Sequence, residues 1–91
     1  MEFVSFTTEP PLELPAPVRV KLIDPVVSSG PSAAAELLEL SDTHMSVRLG
    51  KAIVVGAMLQ IRNGTRLARG RAVECAAAPP GYAVRLKIER D

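Results

Sequence analysis

The feature that most constrains this chain is a period of two in its apolar residues. From Tyr82 to Glu89, the residues Tyr82, Val84, Leu86 and Ile88 alternate with Ala83, Arg85, Lys87 and Glu89. Successive side chains of a strand point to opposite faces, so this run has one dry face and one wet face. Val18, Val20 and Leu22 alternate in the same way with Arg19 and Lys21, and Asp24-Pro25 ends that run. Met45, Val47 and Leu49 alternate with Ser46 and Arg48 before Gly50, and Leu59 and Ile61 with Gln60 and Arg62. Breakers separate these runs: the chain holds 8 prolines and 6 glycines. Short alternating runs with a turn every 8–12 residues or so predict an all-β fold, a small antiparallel β-barrel of about six strands.

Turn chemistry refines the layout. Ser41-Asp42-Thr43-His44 has short polar side chains that bond back to their own backbone, which predicts a tight turn between two strands. Arg62-Asn63-Gly64-Thr65 is the strongest hairpin signal, because Asn and Gly tolerate positive φ. A strict two-residue loop at Asn63-Gly64 would set Ile61 opposite Arg66. A three-residue loop with a bulge sets Ile61 opposite Leu67 and buries both, which is the register expected here. The returning strand, Leu67 to Cys75, puts Leu67, Val73 and Cys75 in phase with Arg69 and Arg71, and a bulge near Gly70 would reconcile them. Ala76 to Gly81 reads as a loop, and Ala52 to Gly56 as a short strand or connector.

The expected organisation is a proline-rich arm over residues 1–17 and a barrel over residues 18–91. The arm holds Pro10, Pro11, Pro15 and Pro17, which fix φ and remove donors, so an extended form is expected. Val26-Val27 leads into a loop at Ser28–Ser32 by composition. A chain of 91 residues buries enough surface for one modest core. With no Trp, 1 Tyr and 2 Phe, that core must be aliphatic. Cys75 is the sole cysteine, so no internal disulfide forms, and an inert buried thiol is expected. The longest apolar run, Ala52 to Leu59, is far below the ~20 residues of a membrane helix. Met1-Glu2-Phe3 does not open a signal peptide, and the expected compartment is the cytoplasm.

Glu39-Leu40-Ser41-Asp42-Thr43-His44 resembles the second motif of PilZ domains, which reads Asp or Asn, any residue, Ser, any two residues, Gly. The order of signals over about residues 18–89 is similar too. Gly70-Arg71-Ala72-Val73-Glu74-Cys75 and Tyr82-Ala83-Val84-Arg85-Leu86-Lys87-Ile88 resemble that family's closing two strands. The resemblance implies a six-stranded barrel of the split-barrel type. It also bears on Ala33–Leu40, whose local chemistry favours helix, with Ser32 as N-cap. The resemblance implies strand there.

PilZ domains are bacterial signalling modules, and many bind cyclic di-GMP. By resemblance the ligand-facing residues are Glu39, Ser41, His44 and Arg48. The family's arginine pair, Arg-x-x-x-Arg before the first strand, is missing: residues 1–17 hold Glu2, Glu9 and Glu13 and no Arg or Lys. Planar guanidinium forks are what grip phosphates and guanine edges, so a protein partner is expected in place of the nucleotide. The alternative keeps cyclic di-GMP, held by Arg48, Arg85 or the hairpin arginines.

Charge is uneven along the chain. Residues 1–45 hold 2 basic and 7 acidic residues (2 − 7 = −5), and residues 46–91 hold 9 and 3 (9 − 3 = +6). Ordinary folding would neutralise the two halves against each other. Arg62, Arg66, Arg69 and Arg71 cluster on the hairpin, either as a charged edge that resists pairing or as an anion-binding ribbon. The ribbon lacks aromatic residues to stack bases, which makes nucleic acid the less favoured partner. His44 and Cys75 supply too few ligands for a metal, and no elbow surrounds Ser41, so neither cofactor nor catalysis is expected.

Overall fold

The computed structural model describes residues 13–24 and 32–89. The expectations for Met1 to Leu12 and for the Val26–Pro31 stretch lie outside them. Every regular element among the described residues is a strand. β1 is Ala16–Asp24, β2 Ala33–Leu40, β3 His44–Leu49, β4 Met58–Asn63, β5 Arg66–Ala78 and β6 Gly81–Glu89. All pairings are antiparallel, and the strands close in the order β1-β2-β3-β6-β5-β4. Each described strand pairs with a neighbour on both sides, so none of them is a free sheet edge. Among the described residues no helix is long and apolar enough to cross a membrane.

The alternating residues fill the barrel. Leu37, Met45, Val47, Leu59, Ile61, Val84 and Leu86 are fully buried, with Val18, Val20 and Ala72 beside them. Each large side chain removed from water stabilises by about 1.5–3 kcal/mol. Among the described residues no aromatic side chain enters this core.

Ala33–Leu40 is a strand despite its helix-forming residues. A helix of eight residues is marginal alone, whereas as a strand it buries Leu37 and pairs on both sides. β1 starts at Ala16, two residues before the expected boundary, and Ala16 is itself buried.

The hairpin register differs from the expectation. The loop is Gly64-Thr65, Asn63 pairs with Arg66, and Ile61 lies opposite Ala68, not Leu67. Gly64 holds φ +60 at the first loop position, as a two-residue II′-type hairpin requires. The reason is packing. Leu59 faces Gly70, Ile61 faces Ala68, and Leu86 faces Ala72, so β5 offers its small residues to its neighbours' large ones. A Cβ on Gly70 would come within 2.9 Å of the Leu86 Cβ. The bulge falls at Val73, between Ala72 and Glu74, not near Gly70. Val73 faces outward, 44% exposed, and the bulge sets Glu74 outward beside Arg85 and turns Cys75 back against the core. The expected Ala76–Gly81 loop shrinks to Pro79-Pro80, because Ala76, Ala77 and Ala78 pair with Ala83, Tyr82 and Gly81.

Residues 50–57 are a connector. The Ala57 N–H donates to the Val54 carbonyl at 3.0 Å, closing a turn in which Gly56 takes φ +99. That positive φ at the third turn residue is where glycine is needed.

Candidate functional site

The Ser41–His44 turn is built as its residue types direct. The Ser41 N–H donates to the His44 carbonyl at 2.8 Å, and the Ser41 Oγ accepts the His44 N–H at 3.0 Å. Thr43 Oγ1 and His44 Nδ1 lie 2.8 Å apart. The Thr43 carbonyl accepts the Ile88 N–H at 2.8 Å, which ties the turn to β6.

Beside this turn the outer face of β2, β3, β6 and β5 carries a cleft of about 400 Å³. Its polar wall is one cross-strand row: Glu39 pairs with Ser46, Ser46 with Arg85, and Arg85 with Glu74. Ser41 and His44 close one end, and Ala76 and Ala83 line the floor. Two bulges frame it, at Leu38 on β2 and at Val73 on β5. Bulges bend the strands that carry them, and these flank the straight β3–β6 pair.

Three of the four residues expected from the turn motif therefore meet at one cleft: Glu39, Ser41 and His44. Arg48 does not line it. Its guanidinium lies 3.5 Å from Glu36, an ion pair one row away. Arg85, Glu74 and Ser46 belong to the cleft and were not expected on it as a set. Arg85 was legible as an outward position and as an alternative ligand residue, but its place beside Ser46 and Glu74 was not, since the β3–β6 pairing skips two strands in sequence. Among the described residues Arg85, Glu39 and Glu74 form no ion pair. The charged lining sums to 1 − 2 = −1, with His44 neutral.

The hairpin arginines do not act as one group. Arg62, Arg69 and Arg71 project outward, whereas Arg66 shares the phase of inward-facing Ala68 at the barrel mouth. Arg71 is held by Glu89 at 3.2 Å, by the Gly56 carbonyl at 2.7 Å and by Asp24 at 3.9 Å. Cys75 is half-buried, and its Sγ accepts the Ile53 N–H at 3.5 Å. No cluster of three metal-ligating side chains exists among the described residues.

Comparison with known proteins finds no matching family model, no matching curated protein and no matching solved structure.

Proposed function

We propose that this chain is a non-catalytic, PilZ-like interaction module whose cleft takes a segment of a protein partner. The observation that carries the reading is the row Glu39–Ser46–Arg85–Glu74, in which donors and acceptors face solvent without being used on one another. Such a row suits hydrogen bonding and charge pairing with an extended peptide laid across it. Catalysis is not proposed: the Ser41 hydroxyl is spent on the turn, and the hydroxyl paired with His44 Nδ1 is that of its chain neighbour Thr43, which does not line the cleft.

A second reading is cyclic di-GMP, favoured by Ser41 and Arg85 lining the same cleft. The charges argue against it. A dianion would meet one arginine between two carboxylates, and Arg48 is engaged by Glu36.

Photo-cross-linking in producing cells tests the proposal. A photoreactive residue at Ala76, on the cleft floor, is expected to trap a protein that one at Thr65, on the hairpin loop, does not. Glu39→Lys with Glu74→Lys is expected to abolish the adduct. No adduct at Ala76, or one that survives both charge reversals, would overturn it.

A further inference from the structure

The fold does not neutralise the two halves of the chain on one face: it adds their cations together. Arg19 and Lys21 are the 2 basic residues of the acidic first half. Both lie on β1, and β1 closes the barrel against β4. Arg19 thereby stands directly opposite Arg62, and Lys21 stands opposite Gln60, whose other neighbour is Arg69. All four cations have outward phase. Like charges directly opposite on adjacent strands destabilise a sheet. Here Arg19 is held by neutral acceptors, the Ser32 hydroxyl at 3.2 Å and the Ser32 carbonyl. Arg62 and Lys21 have no ion pair among the described residues. Glu89, the acidic residue in the same rows, stands opposite Arg69 and lies 3.2 Å from Arg71.

We propose that this outer face of β1, β4 and β5 binds the phosphodiester backbone of a nucleic-acid duplex. The site is distinct from the cleft and stands whether or not the cleft binds protein. Arg19 and Lys21 are two residues apart, about 6.8 Å along a strand. That is twice the roughly 3.4 Å axial step between phosphates of one duplex strand. Strands about 4.8 Å apart place Arg62 on β4 beside Arg19, and Arg69 on β5 two strands from Lys21. The face has no aromatic side chain: Tyr82, the one aromatic residue among those described, pairs with Leu49 and Ala77 at the far end. Contact is thus to phosphates without stacking or base readout. An acidic membrane is less suited, because the exposed valines, Val54, Val55 and Val73, lie away from these rows, and Leu67, the apolar residue opposite Arg62, is half-buried.

The test is fluorescence anisotropy of the full chain with a labelled random-sequence DNA duplex, and co-sedimentation with phosphatidylserine-containing vesicles. Three to four phosphate contacts imply affinity falling by roughly 40- to 150-fold between about 50 and about 200 mM salt. Arg62→Glu and Lys21→Glu are each expected to weaken duplex binding at least tenfold and to flatten the salt dependence. Arg62→Glu puts a carboxylate opposite Arg19, so its thermal melting is expected to match or exceed the parent, which separates lost binding from lost folding. Lys51→Glu, at the other end of the barrel, makes the same change in net charge and is expected to leave binding within twofold. No duplex binding by the folded chain at low salt overturns the proposal. So do binding that survives Arg62→Glu, equal losses in Lys51→Glu, and vesicle binding without duplex binding.

Discussion

The Ser41 hydroxyl closes the β2–β3 turn by accepting the His44 backbone N–H at 3.0 Å, and it donates to the His44 carbonyl at 3.2 Å. One side chain thus satisfies both backbone groups of the residue that starts β3. Ser41→Ala removes these bonds and is expected to cost about 1 kcal/mol, since a hydrogen bond at an exposed turn contributes roughly 0.5–1.5 kcal/mol. For a domain of this size that lowers Tm by about 4–8 °C, readable by circular dichroism. A variant melting with the parent would show that the turn is held by its backbone alone.

Gly70 is where β5 lets Leu86 in. A Cβ there would meet the Leu86 Cβ at 2.9 Å and the Lys87 carbonyl oxygen at 3.2 Å. Gly70→Ala is expected to destabilise by about 1–3 kcal/mol, the usual cost of overpacking. Gly50→Ala is the comparison: nothing lies within 4 Å of its Cβ and its φ is ordinary, so its urea midpoint is expected to stay with the parent.

Leu59 and Ile61 are fully buried in the strand that closes the barrel on β1. Leu59→Ala is expected to cost about 2–5 kcal/mol. Domains of this kind hold about 5–15 kcal/mol in all, so the variant should show a large fall in urea midpoint.

Arg71 ties three segments: β6 through Glu89, the connector through the Gly56 carbonyl, and β1 through Asp24. Arg71→Met keeps the aliphatic stem and removes the ties. Its ion pairs are largely exposed and worth about 0–1 kcal/mol each. A loss of about 1–2 kcal/mol is therefore expected, chiefly from the bond to the Gly56 carbonyl. Faster hydrogen exchange at Gly56 and Ala57 is the local signature to measure.

The faces of β1, β3, β4 and β6 were legible in the sequence because each alternates large apolar with polar residues. The Ser41–His44 turn was legible because its side chains make the turn themselves. β5 was not. Its inward residues Ala68, Gly70 and Ala72 are small, while Leu67 and Val73, the apolar signals, face out. Their size is set by Leu59, Ile61 and Leu86 across the ladders, which a local reading cannot see. Long-range order hid the rest. Ser46 meets Arg85, and Arg19 meets Arg62, through pairings between strands not adjacent in sequence. Half of the cleft and half of the basic face became visible only with those pairings.

Calorimetric titration of the folded chain with cyclic di-GMP at low salt tests the central claim most directly, because weak electrostatic binding is strongest there. A cleft with Arg85 between Glu39 and Glu74 is expected to give no saturable heat. Micromolar binding, about −8 kcal/mol, would contradict the account and make the cleft a nucleotide site.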